Sequence, residues 1–448
     1  MQVGVPGLTR ALFGGFVLIV ASFAFLSCGS SPSSSSAQKL SGLTFRAFVS
    51  QDVSVGASTA FPSGVGAGLF IIDAKNDVRS AAFISTTNLP GLLVEAANKR
   101  LTLAFGVSDN TVAIVTNANE SSTTKVTLPG VTESMSVSPD ASTGYAAVPD
   151  APVTGQSPGT VEVMNLSSAA ISTTIPIQSA HYIVQSHNGN RILVFSDNAN
   201  TVTMIATGNV APCTPICGSP PVPMCPPSSL TAVTCQISGF DRPVWAVFSS
   251  DDNTAYVLNC GPECGGQTAS VQAVDMTTQS LLGTAVAVDA ATIGLVNGST
   301  LYVAGTPTTS PGNACTGTST AAPTCGRLDV VNLSSMTVAS SQVITDGYHN
   351  RIDLSQNGQL FVGARTCSNV NNGTEVRGCL SIFNTLSPAV VIPPLTGDVT
   401  GLQAITNRNV EYVVQGGELR IFDTTTDKLG PTQIDVSGQA IDVKLVDF

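Results

Sequence analysis

Three short segments gather the residue types that binding or catalysis would use. Ala180-His181-Tyr182, Asp241-Arg242-Pro243-Val244-Trp245 and Gly347-Tyr348-His349-Asn350-Arg351 hold two of the three histidines, the single tryptophan and two arginines. Arg242 and Arg351 are permanent cations whose planar forks match carboxylate or phosphate oxygens. Tyr182, Trp245 and Tyr348 offer ring faces for stacking, and Asp241 adds an acceptor. Together these eight residues, His181, Tyr182, Asp241, Arg242, Trp245, Tyr348, His349 and Arg351, suit a polar or anionic ligand. The plainer reading is that they fill space and bond to neighbouring backbone. No Gly-x-Ser-x-Gly elbow, His-Glu-x-x-His helix or paired glutamates accompany them. No catalytic residue is therefore assigned. No cofactor is expected either, since Cys-x-x-Cys-His is missing and histidine is scarce.

The eleven cysteines divide into Cys28 near the start and ten others, an even number. Cys260 and Cys264, Cys315 and Cys325, and Cys367 and Cys379 each flank a short polar stretch, whereas Cys213, Cys217, Cys225 and Cys235 share one Pro-rich segment. Local pairs of this kind read as disulfides of an exported protein. Cys213-x3-Cys217 and Cys260-x3-Cys264 also have spacings that zinc accepts, but no histidine lies near them, and no metal is expected. Export fits the first residues: Arg10, then an apolar run from Ala11 to Leu26, shorter than a stable membrane span. Ser27-Cys28-Gly29 follows and resembles the lipobox of bacterial lipoproteins, which implies a signal peptide over 1–27 and a lipidated Cys28. Residues 28–42, rich in serine, read as a tether. An outer-membrane location is expected, because Gly29 is not the aspartate associated with inner-membrane retention.

Residues 43–448 must position these groups, and their composition favours strands and turns. Only 10% of residues are charged, too few for a salt-laced helical bundle, while 43% are hydrophobic, too many for a disordered chain. One unit recurs: an apolar strand that ends in Asp or Asn before a polar turn. It appears as Leu69–Asp73, Val112–Asn117, Val161–Asn165, Val271–Asp275, Leu328–Asn332, Leu380–Asn384 and Leu419–Asp423, and without the terminal Asx as Val202–Ala206. From Asp73 to Asp423 is 350 residues over seven steps, a 50-residue period that suits four strands, here named A to D, the recurring one being C. Before each C strand lie two strands joined by a tight turn, as at Asn188-Gly189, Asn297-Gly298 and Asn357-Gly358. Asn-Gly supplies the positive φ of a two-residue hairpin.

The ends of the chain indicate closure. Thr44–Ser50 reads as a B strand with no A before it, and Ala440–Val446 is a surplus strand after the last unit. The second can complete the blade that the first begins and remove exposed sheet edges. The expectation is an all-β, single β-propeller of eight four-stranded blades, with seven as the alternative and a Pro/Cys-rich insertion at 210–236 in the fourth unit. In this strand order the D-to-A and B-to-C connections share one face, the A strands line the central channel, and all three short cysteine pairs fall in B-to-C loops.

Val247–Asn259 and Val137–Ala141 resemble the YVTN-type β-propeller repeat, an apolar strand, a Ser-Pro-Asp-Gly-like turn and an Ala-Tyr-Val strand. The resemblance implies a propeller and no particular reaction. Lactonase-like propellers share it, and on that alternative His181, His349, Arg242 and Arg351 would take acid-base and oxyanion roles. The favoured expectation is a non-enzymatic, monomeric, lipid-anchored envelope propeller that presents its disulfide-stapled face to a protein or glycan. A net charge of -11 argues against nucleic acid as the partner.

Overall fold

In the computed structural model, the described residues are 40–448 apart from 53–66, 87, 208–232, 308–325, 369, 373–374, 431–433 and 437. They form eight four-stranded antiparallel sheets and one two-stranded hairpin. Blades 2 to 8 follow chain order, with inner A strands at Pro90–Glu95, Ser134–Val137, Ala180–Gln185, Pro243–Phe248, Ile293–Asn297, Tyr348–Leu354 and Val399–Ala404. Blade 1 unites the chain ends: Gln439–Leu445 is its A strand, Arg46–Asp52 its B strand, Gly68–Asp73 its C and Val78–Ser85 its D. Phe48 pairs with Lys444 and Val49 with Val443, so the ring closes as the surplus strand required. Neighbouring A strands touch all the way round, the last against the first. No helix of the described residues is long and apolar enough to cross a membrane.

The core lies between blades, which explains the strand composition. Along the B strand of blade 1, Ala47 and Val49 pack toward Tyr412, Val414 and Ile421 of blade 8, while Phe48 packs toward Leu93 and Ala104 of blade 2. Successive side chains point to opposite faces, and both faces are covered, so a middle strand is apolar throughout. The inner edge of each blade has its own solution. Side chains of one A strand accept backbone N–H groups of the next: Ser134 Oγ takes Ile183 N at 3.0 Å, Asp353 Oδ2 takes Ala404 N at 2.8 Å, Gln403 Oε1 takes Leu445 N at 3.1 Å and Asp442 Oδ2 takes Leu93 N at 3.0 Å. Edges that would recruit foreign strands are thereby satisfied within the ring.

The recurring Asx is the hinge of the C-to-D turn. Asn165 Oδ1 accepts Ser167 N and Ser168 N, Asp275 Oδ1 accepts Thr277 N and Thr278 N, and Asn332 Oδ1 accepts Ser334 N and Ser335 N. Four residues on, Ala169, Gln279 and Met336 each take positive φ to begin the D strand. The A-to-B turns differ from the two-residue hairpins that Asn-Gly predicts. Only Asn297 and Thr300 pair directly across two residues, Gly298-Ser299. At Asn188-Gly189 the turn runs from Ser186 to Arg191, because the Ser186 hydroxyl holds Asn188 Oδ1 and accepts Arg191 N, with Gly189 at φ 74 closing the loop.

Candidate ligand-binding site at the channel mouth

The site residues follow from a shared irregularity. In six blades the A strand bulges near its start, between Ala440 and Val443 in blade 1 and, with one residue skipped, between Pro90 and Leu92, Ala180 and Tyr182, Pro243 and Trp245, His349 and Arg351, and Val399 and Gly401. A bulge re-aims side chains, and here it decides which residues are equivalent. His181 matches Asn350, whereas His349 matches Ala180 and Pro243. His349 is fully buried, and burial pushes its imidazole pKa down to about 4, so the ring is neutral and faces the interior. It therefore does not join His181 in a ring around the mouth.

Tyr182, Trp245 and Arg351 are the equivalent positions that do approach the axis. Tyr182 stacks on His181, with centroids 4.1 Å apart and planes 9° from parallel, and meets the Trp245 ring edge-on at 6.3 Å. Its hydroxyl lies 3.1 Å from the Tyr348 hydroxyl. Tyr182 belongs to blade 4 and Tyr348 to blade 7, so this hydrogen bond bridges the channel. Burial, reinforced by Tyr182, holds the Tyr348 phenol well above the ordinary tyrosine range. His181 Nδ1 is 2.7 Å from Asp197 Oδ1 and its Nε2 is 3.6 Å from Glu133 Oε2. Burial alone would lower the His181 pKa, but the hydrogen bonds to Glu133 and Asp197 outweigh it and the value is raised. His181 in turn lowers the Glu133 pKa, with help from Arg365 and Arg351.

Beside this cluster runs a groove of about 380 Å³ lined by His181, Tyr182, Asp197, Asn198, Arg242 and Tyr348. Arg242 donates from Nη1 to Asn198 O and from its backbone N to Asn200 Oδ1 at 3.2 Å, which ties blade 5 to blade 4. Asp241 turns away from the groove: its Oδ2 accepts Gln267 N and Thr268 N, both at 2.7 Å, and anchors its own B-to-C loop. Arg351 lies beneath the bridge, inside the channel. Arg365, Glu133 and Asp197 were not among the sequence candidates. Arg365 and Asp197 stand at the ends of B strands, which reach the same face as the D-to-A segments, and that connectivity is the signal that finds them. Arg365 Nε is buried without a hydrogen-bond partner among the described residues.

Two disulfides staple this face, Cys260–Cys264 and Cys367–Cys379. The first closes a turn of 3-10 helix, Gly261–Cys264, whose Glu263 accepts Thr306 N at 3.0 Å and is pushed up to about 7 by burial. The second encloses the hairpin Val370–Asn372 and Glu375–Arg377. The disulfides point to an oxidising compartment outside the cytoplasm. Cys235 is buried on the D strand Val233–Ser238, with Sγ 3.2 Å from Gln279 Oε1. Cys28, Cys213, Cys217, Cys225, Cys315 and Cys325 lie outside the described residues, as do the signal segment and most of the tether and insertion. Among the described residues no group of three or more His, Cys, Asp or Glu is arranged to hold a metal. His187, on the opposite face, is more than solvated: its Nδ1 is 2.7 Å from the buried Asp252 of the next blade.

Neither a protein-family model nor a curated protein sequence matches the chain. Solved structures do. Dihydro-heme d1 dehydrogenase NirN, solved with DHE, aligns at a TM-score of 0.61 and 11% identity, over 90% of this chain and 75% of that one. A functionally unknown protein from Desulfotomaculum acetoxidans aligns at 0.49 and 13% identity, over 90% and 99%. The periplasmic gluconolactonase of Pseudomonas aeruginosa aligns at 0.45 and 13% identity, over 90% and 98%. At these identities the likeness is one of fold alone.

Proposed function

We propose that this propeller is a binding module of the bacterial envelope that offers its stapled face to a protein or glycan. The observation that carries the reading is the groove: aromatic rings, a cation and carboxylates converge between blades 4, 5 and 7, beside two covalently pinned loops. Aromatic faces flanked by planar polar groups suit a partner rich in hydroxyls and amides. The Ser27-Cys28-Gly29 resemblance implies a lipid on Cys28 that would hold the module at a membrane. Ser41, at the end of the tether segment, donates to Glu120 on the opposite, A-to-B and C-to-D face. The YVTN-type repeat supports the same scaffold role.

A lactonase-like reaction has no comparable support. His349 is buried and neutral, and His181 is already engaged by two carboxylates. The test is capture from envelope extract or on a glycan array by purified protein. Replacing residues 368–378 by a Gly/Ser loop of equal length, and separately Arg242→Ala, should each abolish capture while the fold is kept. Lactone turnover lost in His181→Gln would overturn the proposal.

A further inference from the structure

Beneath the tyrosine bridge the central channel widens into a separate cavity of about 550 Å³. Its extent follows the A strands, from Trp245 and Arg351 below the bridge to His187 and Ser250 at the A-to-B turns. It therefore lies on the other side of the bridge from the groove and reaches toward the opposite face. Val184, Val247, Leu295 and Ile352 make its walls apolar.

Arg351 faces this cavity, and among the described residues no carboxylate forms a direct ion pair with it. Its Nε donates to Thr400 O at 2.7 Å and its Nη1 to Asn350 O at 2.9 Å, and Nη2 has no hydrogen-bond partner among the described residues. The acid that acts on it most, Asp442, is committed elsewhere: Oδ2 to Leu93 N at 3.0 Å, and Oδ1 to Val443 N at 2.8 Å and Lys444 Nζ at 3.2 Å. Enclosure by protein lowers the Arg351 pKa even though Asp442 and Glu133 act to raise it. Lys444 also lines the cavity, with its Nζ paired to Asp442. A guanidinium beside apolar walls pairs with an anion through charge-assisted hydrogen bonds, which are stronger there than in open water.

We propose that the channel cavity binds a small amphiphilic carboxylate, with its head on Arg351 and its aromatic or aliphatic body against Trp245. The volume falls within the roughly 300–1,000 Å³ of ordinary ligand cavities. This inference is independent of the groove and its partner.

Trp245 is the only tryptophan, so intrinsic fluorescence reports the site directly. Titration with 4-phenylbutyrate should change the emission saturably. The matched alcohol, 4-phenylbutan-1-ol, should bind at least about tenfold more weakly, the factor that one charge-assisted hydrogen bond supplies. Arg351→Gln should erase that preference, Arg351→Lys should keep part of it, and Arg242→Ala in the groove should leave it intact. No saturable change, equal affinity for acid and alcohol, or a preference that survives Arg351→Gln would overturn the proposal. So would a preference lost in Arg242→Ala instead. The acid-against-alcohol comparison needs only the wild-type protein, so it decides even if an Arg351 variant fails to fold.

Discussion

The two faces of the propeller are held by different means. On the D-to-A and B-to-C face, connections vary from the two residues Gly416-Gly417 to long polar loops, and disulfides fix the two described ones that carry cysteines. On the A-to-B and C-to-D face, turns are short, and ion pairs between blades do the fastening. His187 grips Asp252, Arg408 forks onto Asp77, which also accepts the Tyr412 hydroxyl at 2.5 Å, and Lys99 Nζ donates to Leu445 O at 2.6 Å. The densest clasp is at the closure. Arg46 donates Nε and Nη2 to Asp447, each at 2.7 Å, and Nη1 to Glu120 at 2.7 Å, with Arg46 and Glu120 almost wholly buried. One guanidinium thus joins the B strand of blade 1, a residue two places past its A strand and a turn of blade 2. A covalent staple limits how far a loop can wander, whereas a buried ion fixes where two strands meet.

The sharpest way to break the contrast is at Arg46. Arg46→Met should strand Glu120 as a buried, uncompensated carboxylate and cost about 3–5 kcal/mol. Equilibrium urea unfolding followed by circular dichroism measures it. Adding Glu120→Leu should recover much of the loss, since a buried pair replaced by apolar groups is often neutral. If Arg46→Met shifts the midpoint no more than an exposed arginine substitution does, the closure rests on strand pairing alone.

Removing the staples comes next. Cys367 and Cys379 are 12 residues apart, and Cys260 and Cys264 only 4. Loop-closure entropy then predicts losses of about 3 kcal/mol and about 2 kcal/mol when each pair is changed to serine. The ordering is the test: a larger loss at Cys260–Cys264 would mean that this turn matters through Glu263 and Thr306 rather than through chain entropy. Neither change should disturb the ion clasps, which lie on the other face.

How much of this was legible in the sequence varies with the range of the interaction. The Asx-ended C strands counted the blades because most of these Asx residues perform a local task, accepting backbone N–H groups two or three residues on, although Asn117 bonds Thr102, Glu95 and Lys99 instead. Ala440–Val446 announced closure because an unpaired strand has no other use in a ring. The bulges were hidden, since one extra residue in an apolar A strand leaves no mark on its pattern, and so His181 and His349 looked alike. Tyr182 and Tyr348 are 166 residues apart, and only the ring geometry brings them together. Arg46 and Glu120 were lost among ordinary charges. Their importance comes from burial, which composition does not reveal.

Acidity separates the two faces in the opposite sense. Glu263, on the stapled face, is raised from 4.5 to about 7, so its folded form binds a proton that its unfolded form has released. Its contribution is complete below pH 4.5 and gone above about pH 7, with a ceiling of about 3 kcal/mol. Glu263→Gln should remove that slope from stability measured across pH 4 to 8. Asp140, Asp251, Asp275 and Asp423, in the turns of the other face, have lowered values through bonds from Ser138, Ser249, Thr278 and Thr425 respectively. What they add is present above pH 3.8 and is lost as pH falls through their folded values. Glu95 and Asp427 are exceptions on that face, Glu95 raised to about 7 by burial despite Lys99 and Asp427 raised by burial and by Asp423.

The smallest expected effect is the most local. His181 is raised above 6.5, so what it adds by pairing with Asp197 and Glu133 is fully present below pH 6.5 and fades as pH rises through its folded value. Both carboxylates are about half exposed, at 48% and 55%, and solvent screening keeps the contribution under about 1 kcal/mol. Its ring proton resonance, followed by NMR from pH 5 to 9, should titrate later than a free histidine. Asp197→Asn should bring the midpoint back toward 6.5, and Tyr182→Leu, which removes the stacked ring and the bridge to Tyr348 but no charge, should move it less. A midpoint at or below 6.5 in the wild-type protein would mean that desolvation under the tyrosine bridge outweighs the two acids. The groove would then carry a neutral imidazole beside Arg242.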